Sequence, residues 1–186
     1  MLRLMDATPM HGGSGGGPSR GPQSFAVGYR PHTGDMMVYG GGVLTLIGVL
    51  ATVVQGSPIF LLASIAGSVS AFYFAPTLDL RSPQLGADAG GLFIARVGVI
   101  PWDAVREIRV EKRALRTMHL ATLYLRTDGP VYEVVVHADP VTPLQRVSAR
   151  NARVSGDTVR VSLHTLALSA EAIEIRLRAL HDASRG

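Results

Sequence analysis

The sequence predicts a two-part chain: a membrane α-hairpin, then an α+β, mainly-β domain of about seven antiparallel strands with a C-terminal helix. Three observations predict it. Between Met36 and Pro76 there is no Asp, Glu, Lys, Arg or His, so neither apolar run has the polar face that a helix in water needs. After Leu80 the pattern changes to short alternating segments separated by Gly- and Asp-containing turns, the period of half-buried strands. From Ser169 onward, apolar residues recur at helical spacing instead.

Residues 1–35 carry Gly12, Gly13, Gly15, Gly16 and Gly17 among Pro9, Pro18, Pro22 and Pro31. Such a segment cannot bury enough apolar area to offset the entropy of ordering it, and the expectation is a disordered tail. A cleaved signal peptide fits poorly. The polar stretch before the first apolar run is too long, and Val53-Val54-Gln55 stands where small residues would be needed.

Residues 36–76 form the expected transmembrane hairpin, with helices at about 38–54 and 58–75 joined by Gln55-Gly56-Ser57-Pro58. Pro58 suits the first turn of a helix, where its missing N–H costs nothing, and Pro76 closes the second helix. Tyr39, Phe72 and Tyr73 gather at the end where both termini emerge, as an interfacial aromatic belt would. Small residues recur at helical spacing: Gly41, Thr45, Gly48 and Thr52 on the first run, Ala63, Gly67 and Ala71 on the second. Such faces let membrane helices approach closely, either within the hairpin or against another protein. Arg20 and Arg30 precede the hairpin and Arg81 and Arg96 follow it, while the turn has no basic residue, so the expected topology is multi-pass with both termini cytoplasmic.

The domain is expected over residues 80–183. Gln84–Ala87 and Leu92–Arg96 flank the turn Asp88-Ala89-Gly90-Gly91. In Val105–Glu111 the charged Glu107, Arg109 and Glu111 alternate with Ile108 and Val110, a strand with one face in the core. Leu120–Arg126 and Val131–His137, separated by Thr127-Asp128-Gly129-Pro130, read as a hairpin. Residues 139–151 read as a loop, and Arg153-Val154 and Thr158–Leu163 flank Gly156-Asp157 as a last pair of strands. Ser169 caps the terminal helix, and Ile173, Leu177 and Leu180 form its buried stripe. In the connection before the third strand, Pro101 ends a strand and Trp102 offers a large apolar surface to cover one end of the core.

A formal charge of +4 with acids and bases interleaved is far from a nucleic-acid-binding footprint. With no cysteine there is no disulfide, thiolate or Cys-based metal chemistry. The six histidines show no metal-ligand spacing; Gly12-Gly13-Ser14-Gly15-Gly16 fits G-x-S-x-G in letters only, inside a Gly-rich tail with no strand pattern before it, and the run lacks the G-K-S/T ending of a phosphate loop, so no catalytic, metal or cofactor residue is expected. The most suggestive cluster is Arg106, Arg109, Lys112, Arg113 and Arg116, of which Arg109, Lys112, Arg113 and Arg116 are the candidate contacts for anionic lipid or a protein partner.

The Gly90-Gly91 turn, the segment Val99-Ile100-Pro101-Trp102-Asp103-Ala104-Val105-Arg106-Glu107-Ile108 and the helix opening Leu166-Ala167-Leu168-Ser169-Ala170-Glu171 together resemble the pleckstrin-homology-like (PH-like) fold. Their order after a hairpin resembles bacterial membrane proteins of mostly uncharacterised families. The resemblance implies a PH-like barrel in a bacterial inner membrane and supplies no catalytic residue. The expected function is a non-enzymatic interaction or scaffolding module, an accessory subunit of a membrane complex, with membrane lipids and a protein partner or a second copy as its contacts. The alternatives are an anionic-lipid-sensing surface module and, less favoured, a small membrane enzyme.

Overall fold

A computed structural model describes residues 23–115, 118–138, 141, 142, 145, 147, 148 and 150–185. Residues 1–22 of the expected tail, and Arg116, lie outside the described residues.

Helix α1 (Asp35–Gln55) and helix α2 (Phe60–Phe74) lie against each other as an antiparallel pair, and a 3-10 turn (Ala75–Leu78) extends the second. At 1.5 Å per residue, the 21 residues of α1 span about 31 Å. Both helices are long and apolar enough to cross a membrane. Gly56 ends α1 in the left-handed conformation (φ 64°), its N–H donating to the Thr52 carbonyl, which lets the chain reverse within a few residues. The outward faces are apolar and open, with Leu46, Val53, Val54 and Leu62 all more than two-thirds exposed. A water-facing surface of that kind is unfavourable, and a lipid-facing one is not.

The rest of the chain builds two antiparallel sheets. The first has the order β1 (Phe25–Val27), β2 (Leu85–Ala87), β3 (Gly91–Ile94), β4 (Gly98–Pro101) and β7 (His137–Ala138). The second has the order β5 (Val105–Leu115), β6 (Met118–Thr127), β9 (Thr158–Ser162) and β8 (Ala152–Ser155). A short 3-10 turn, Trp102–Ala104, carries the chain from one sheet to the other. Leu85, Leu92, Ile94 and Ile100 of the first sheet meet Val105, Leu123, Leu125, Val159 and Val161 of the second in one core. Helix α4 (Ala170–Arg185) adds Ile173, Leu177 and Leu180 to it. Each of these side chains contributes about 1.5–3 kcal/mol on burial. At the start of α4 the Ala172 N–H donates to the Ser169 hydroxyl at 3.2 Å, as its sequence position predicts.

Three expectations are corrected. The tail is not wholly outside the fold: Phe25–Val27 pairs with β2, and Phe25, Val27 and Tyr29 are buried. Alternation of three apolar side chains suffices to fill the sheet edge, although the surrounding composition is Gly- and Pro-rich. Val131–His137 is not the partner of β6. Val131–Val134 forms a helical turn, α3, entered from Pro130, and β6 pairs instead with β5 and β9. There are nine strands among the described residues, and the two sheets do not close into a barrel. Strand β7 has two residues and β8 four, too little to join across the seam between them.

The first correction changes the architecture. Val27 pairs with Leu85, and the Gln84 N–H donates to the Val27 carbonyl at 2.8 Å, so β1 and β2 are neighbours with the whole helical hairpin inserted between them. The domain therefore begins before the hairpin and not at residue 80.

Candidate functional site

The register of the sheets defines two ends. Val27, Leu85, Ile94, Gly98 and Ala138 stand at the end from which the hairpin leaves, and Ala87, Gly91 and Pro101 stand at the far end. On the hairpin side the chain is clamped. The Arg30 N–H donates to the Thr165 carbonyl at 2.8 Å, the Ala167 N–H to Gly28 at 3.1 Å, and Tyr29 bridges to Leu166. Burial pushes the Tyr29 phenol above its ordinary pKa, against a smaller opposing pull from Arg96.

Within the hairpin, the small residues predicted from spacing mostly meet one another. A Cβ added at Gly41 would lie 2.6 Å from the Gly67 carbonyl oxygen and 2.9 Å from the Ala71 nitrogen. One at Gly67 would lie 2.8 Å from the Thr45 nitrogen, and one at Gly48 2.7 Å from the Phe60 carbonyl oxygen. The Thr52 hydroxyl turns back to the Gly48 carbonyl of its own helix, and Ala63 is half-buried. The stripe is thus largely used inside the hairpin. Polar residues that spacing alone did not single out add to it. Ser64 is buried and its hydroxyl donates to the Thr45 carbonyl at 3.1 Å, while the Thr45 hydroxyl lies 3.1 Å from that of Ser68 and 2.9 Å from the Gly41 carbonyl. Hydroxyls facing each other across an apolar pair are the signal that would have found them.

The basic cluster is divided between two faces. Arg109 and Arg113 share the outer face of β5, where Arg109 stands opposite Tyr124 and Arg113 donates twice to Glu111, at 3.0 and 2.9 Å. That contact holds the Glu111 carboxyl below its ordinary range and raises Arg113. Lys112 points to the opposite face and pairs with Glu171 of α4 at 3.1 Å. On the same outer sheet face, Arg126 pairs with Asp157 at 2.8 Å and Arg160 lies 5.4 Å over the Tyr124 ring. The Arg126 hydrogen bond, followed by that from Thr158, holds Asp157 below the usual carboxylate range.

No family model matches the chain, and neither a curated protein nor a solved structure matches it significantly.

Two clefts open on the surface of the β domain. A cleft of about 680 Å³ lies in the open seam between the two sheets, between the edges of β7 and β8, lined by Arg96, Val97, Tyr132, Ala138, Arg153 and Val154. Tyr132 is 74% exposed beside it, a large amphipathic surface of the kind enriched in interfaces. A second cleft of about 670 Å³ on the hairpin side is lined by Arg30, Lys112, Arg113 and His164. Among the described residues no group of three or more His, Cys, Asp or Glu is arranged to hold a metal ion. At the far end Trp102 is buried, its indole N–H donating to the Asp88 carbonyl at 2.7 Å and its ring 5.7 Å from that of His181, while Pro101 ends β4 at φ −66°. The geometry makes Trp102 a plug beneath the β2–β3 turn.

Proposed function

We propose that this chain is a non-enzymatic integral membrane protein whose β domain is an interaction or scaffolding module held at the cytoplasmic face of a bacterial inner membrane, with both termini cytoplasmic. The observation that carries this reading is the insertion of the hairpin between the paired strands β1 and β2. A domain attached by a single flexible linker samples many orientations, whereas here the chain on both sides of the hairpin is held in the domain by backbone hydrogen bonds, Arg30 to Thr165 on one side and Gln84 to Val27 on the other. Such a mount suits a module that presents a fixed surface to a neighbour in the same membrane. The strand-then-helix order and its resemblance to PH-like domains support an interaction role and leave the partner open. The open seam is the surface offered: the two short edge strands β7 and β8 with Tyr132 and Arg153 beside them.

The test places a photo-crosslinking amino acid at Tyr132 in the full chain, expressed in bacterial membranes, with a control at Ala89 in the far turn. The expected result is a discrete adduct to one protein, or to a second copy of the chain, formed at Tyr132 and not at Ala89 and weakened by Arg153→Glu. A membrane-inserted chain giving no adduct at Tyr132, or equal adducts at both positions, overturns the interaction reading.

A further inference from the structure

We propose that the hairpin-side end of the β domain docks on an anionic lipid leaflet, holding the domain upright on the membrane. The inference rests on the reading of the hairpin as membrane-spanning. Its basis is a charge asymmetry that becomes visible only when the topology assigns residues to the two ends.

On the hairpin side stand Arg30, Arg81, Arg96, Lys112, Arg113 and Arg150. Arg30 and Arg81 bracket the hairpin directly, both exposed, and neither has a salt bridge among the described residues. Arg96 lines a cleft with Ala75 and Pro76, the last residues of the hairpin, and donates to the Gln145 carbonyl at 2.9 Å. Lys112 and Arg113 share the cleft with Arg30. The acids at this end are mostly engaged locally: Asp35 with His32 at 2.9 Å, Glu111 with Arg113, Glu171 with Lys112, and Asp79 with the Ser82 hydroxyl at 2.6 Å.

The far end has the opposite sign. Asp88, Asp103, Asp128, Asp157 and Asp182 lie in its turns and at the end of α4. Arg106, Arg126 and Arg185 stand among them, with Arg126 bound to Asp157.

The covalent tether makes the lipid surface the occupant of the basic end, because that end cannot leave the leaflet from which the hairpin emerges. An anionic leaflet attracts basic groups only within about a Debye length, about 10 Å at 0.1 M salt. The 11 residues of β5 span about 36 Å, so an upright domain keeps the far-end aspartates beyond that range. A domain tipped on its side would bring them to the headgroups.

The experiment uses the full chain in nanodiscs of phosphatidylcholine alone or with about one-third phosphatidylglycerol, read by amide hydrogen exchange. Exchange of the hairpin-side segments 95–97 and 164–168 is expected to slow by about tenfold in anionic discs, with the far turn 88–90 unchanged. High salt, or the pair Arg30→Gln and Arg81→Gln, should remove the slowing. A chain incorporated into both discs with identical exchange overturns the docking proposal alone. A chain that fails to incorporate into either overturns the hairpin reading and the proposal with it.

Discussion

At Gly67 a single methylene decides whether two helices can touch. Its added Cβ would meet the Gly41 carbonyl oxygen at 2.5 Å, and backbone cannot yield as a flexible side chain can. Gly42 is one residue away from Gly41 on a face with nothing within 4 Å. Gly67→Leu is therefore expected to separate the helices and destabilise the hairpin by about 1–3 kcal/mol, whereas Gly42→Leu leaves it unchanged. Unfolding in detergent, followed by circular dichroism, checks this, and equal effects of the two substitutions would sink it. Asp157 offers a second residue-scale test. Its folded-state pKa is lowered, chiefly by Arg126, so the contribution is present above the unfolded-state value and lost as pH falls through the folded-state one. In a carboxyl NMR titration Asp157 should titrate below the ordinary aspartate range, and Arg126→Ala should move it back up. An unmoved midpoint would show that the ion pair is not formed in solution. Both groups are exposed, so the effect on overall stability is small.

Elements differ in how openly the sequence announces them. The β2–β3 turn is legible because Asp88 can only do one thing well there: its carboxylate accepts the Gly90 and Gly91 N–H groups at 2.8 and 3.1 Å. The terminal helix is legible because Ile173, Leu177 and Leu180 must share a face whatever they pack against. Val131–Val134 misleads because a β-branched, apolar run satisfies a strand pattern, whereas the local chain bends after Pro130 and buries only Val131 of the four. Strand β1 is hidden for the opposite reason: its three residues carry too little pattern to stand out, and their partner lies beyond the hairpin, nearly sixty residues later. The hairpin face was legible as small residues, but the basic cluster was not divisible into two faces without the β5–β6 register. The importance of β1 can be tested through Val27, which is 4% exposed. Val27→Asp places a carboxylate against the core and should cost at least about 3 kcal/mol, or detach the strand. Amide exchange at Gln84, whose N–H bonds to the Val27 carbonyl, should then approach the unprotected rate. Unchanged protection at Gln84 would mean that β1 does not hold the sheet edge.

For the whole molecule, the insertion of the hairpin between antiparallel neighbours has a consequence for folding. The strands it separates are already paired, so the β domain needs the hairpin only as a connection, not as a packing partner. Its core is drawn from the two sheets and α4, with no residue of α1 or α2. Replacing residues 31–81 by a short Gly/Ser linker would keep Tyr29 against Leu166, Arg30 against Thr165 and Gln84 against Val27. The loop-closure entropy of β1–β2 pairing would fall, since closure of a shorter connection costs less. The expected product is a water-soluble monomer with native-like amide protection in β2, β3 and α4 and a single cooperative thermal transition. Size-exclusion chromatography and hydrogen exchange check it. Aggregation, or loss of protection throughout the sheets, would show instead that the hairpin helps to hold the domain together, and the membrane part would have to be treated as a component of the fold as well as its anchor.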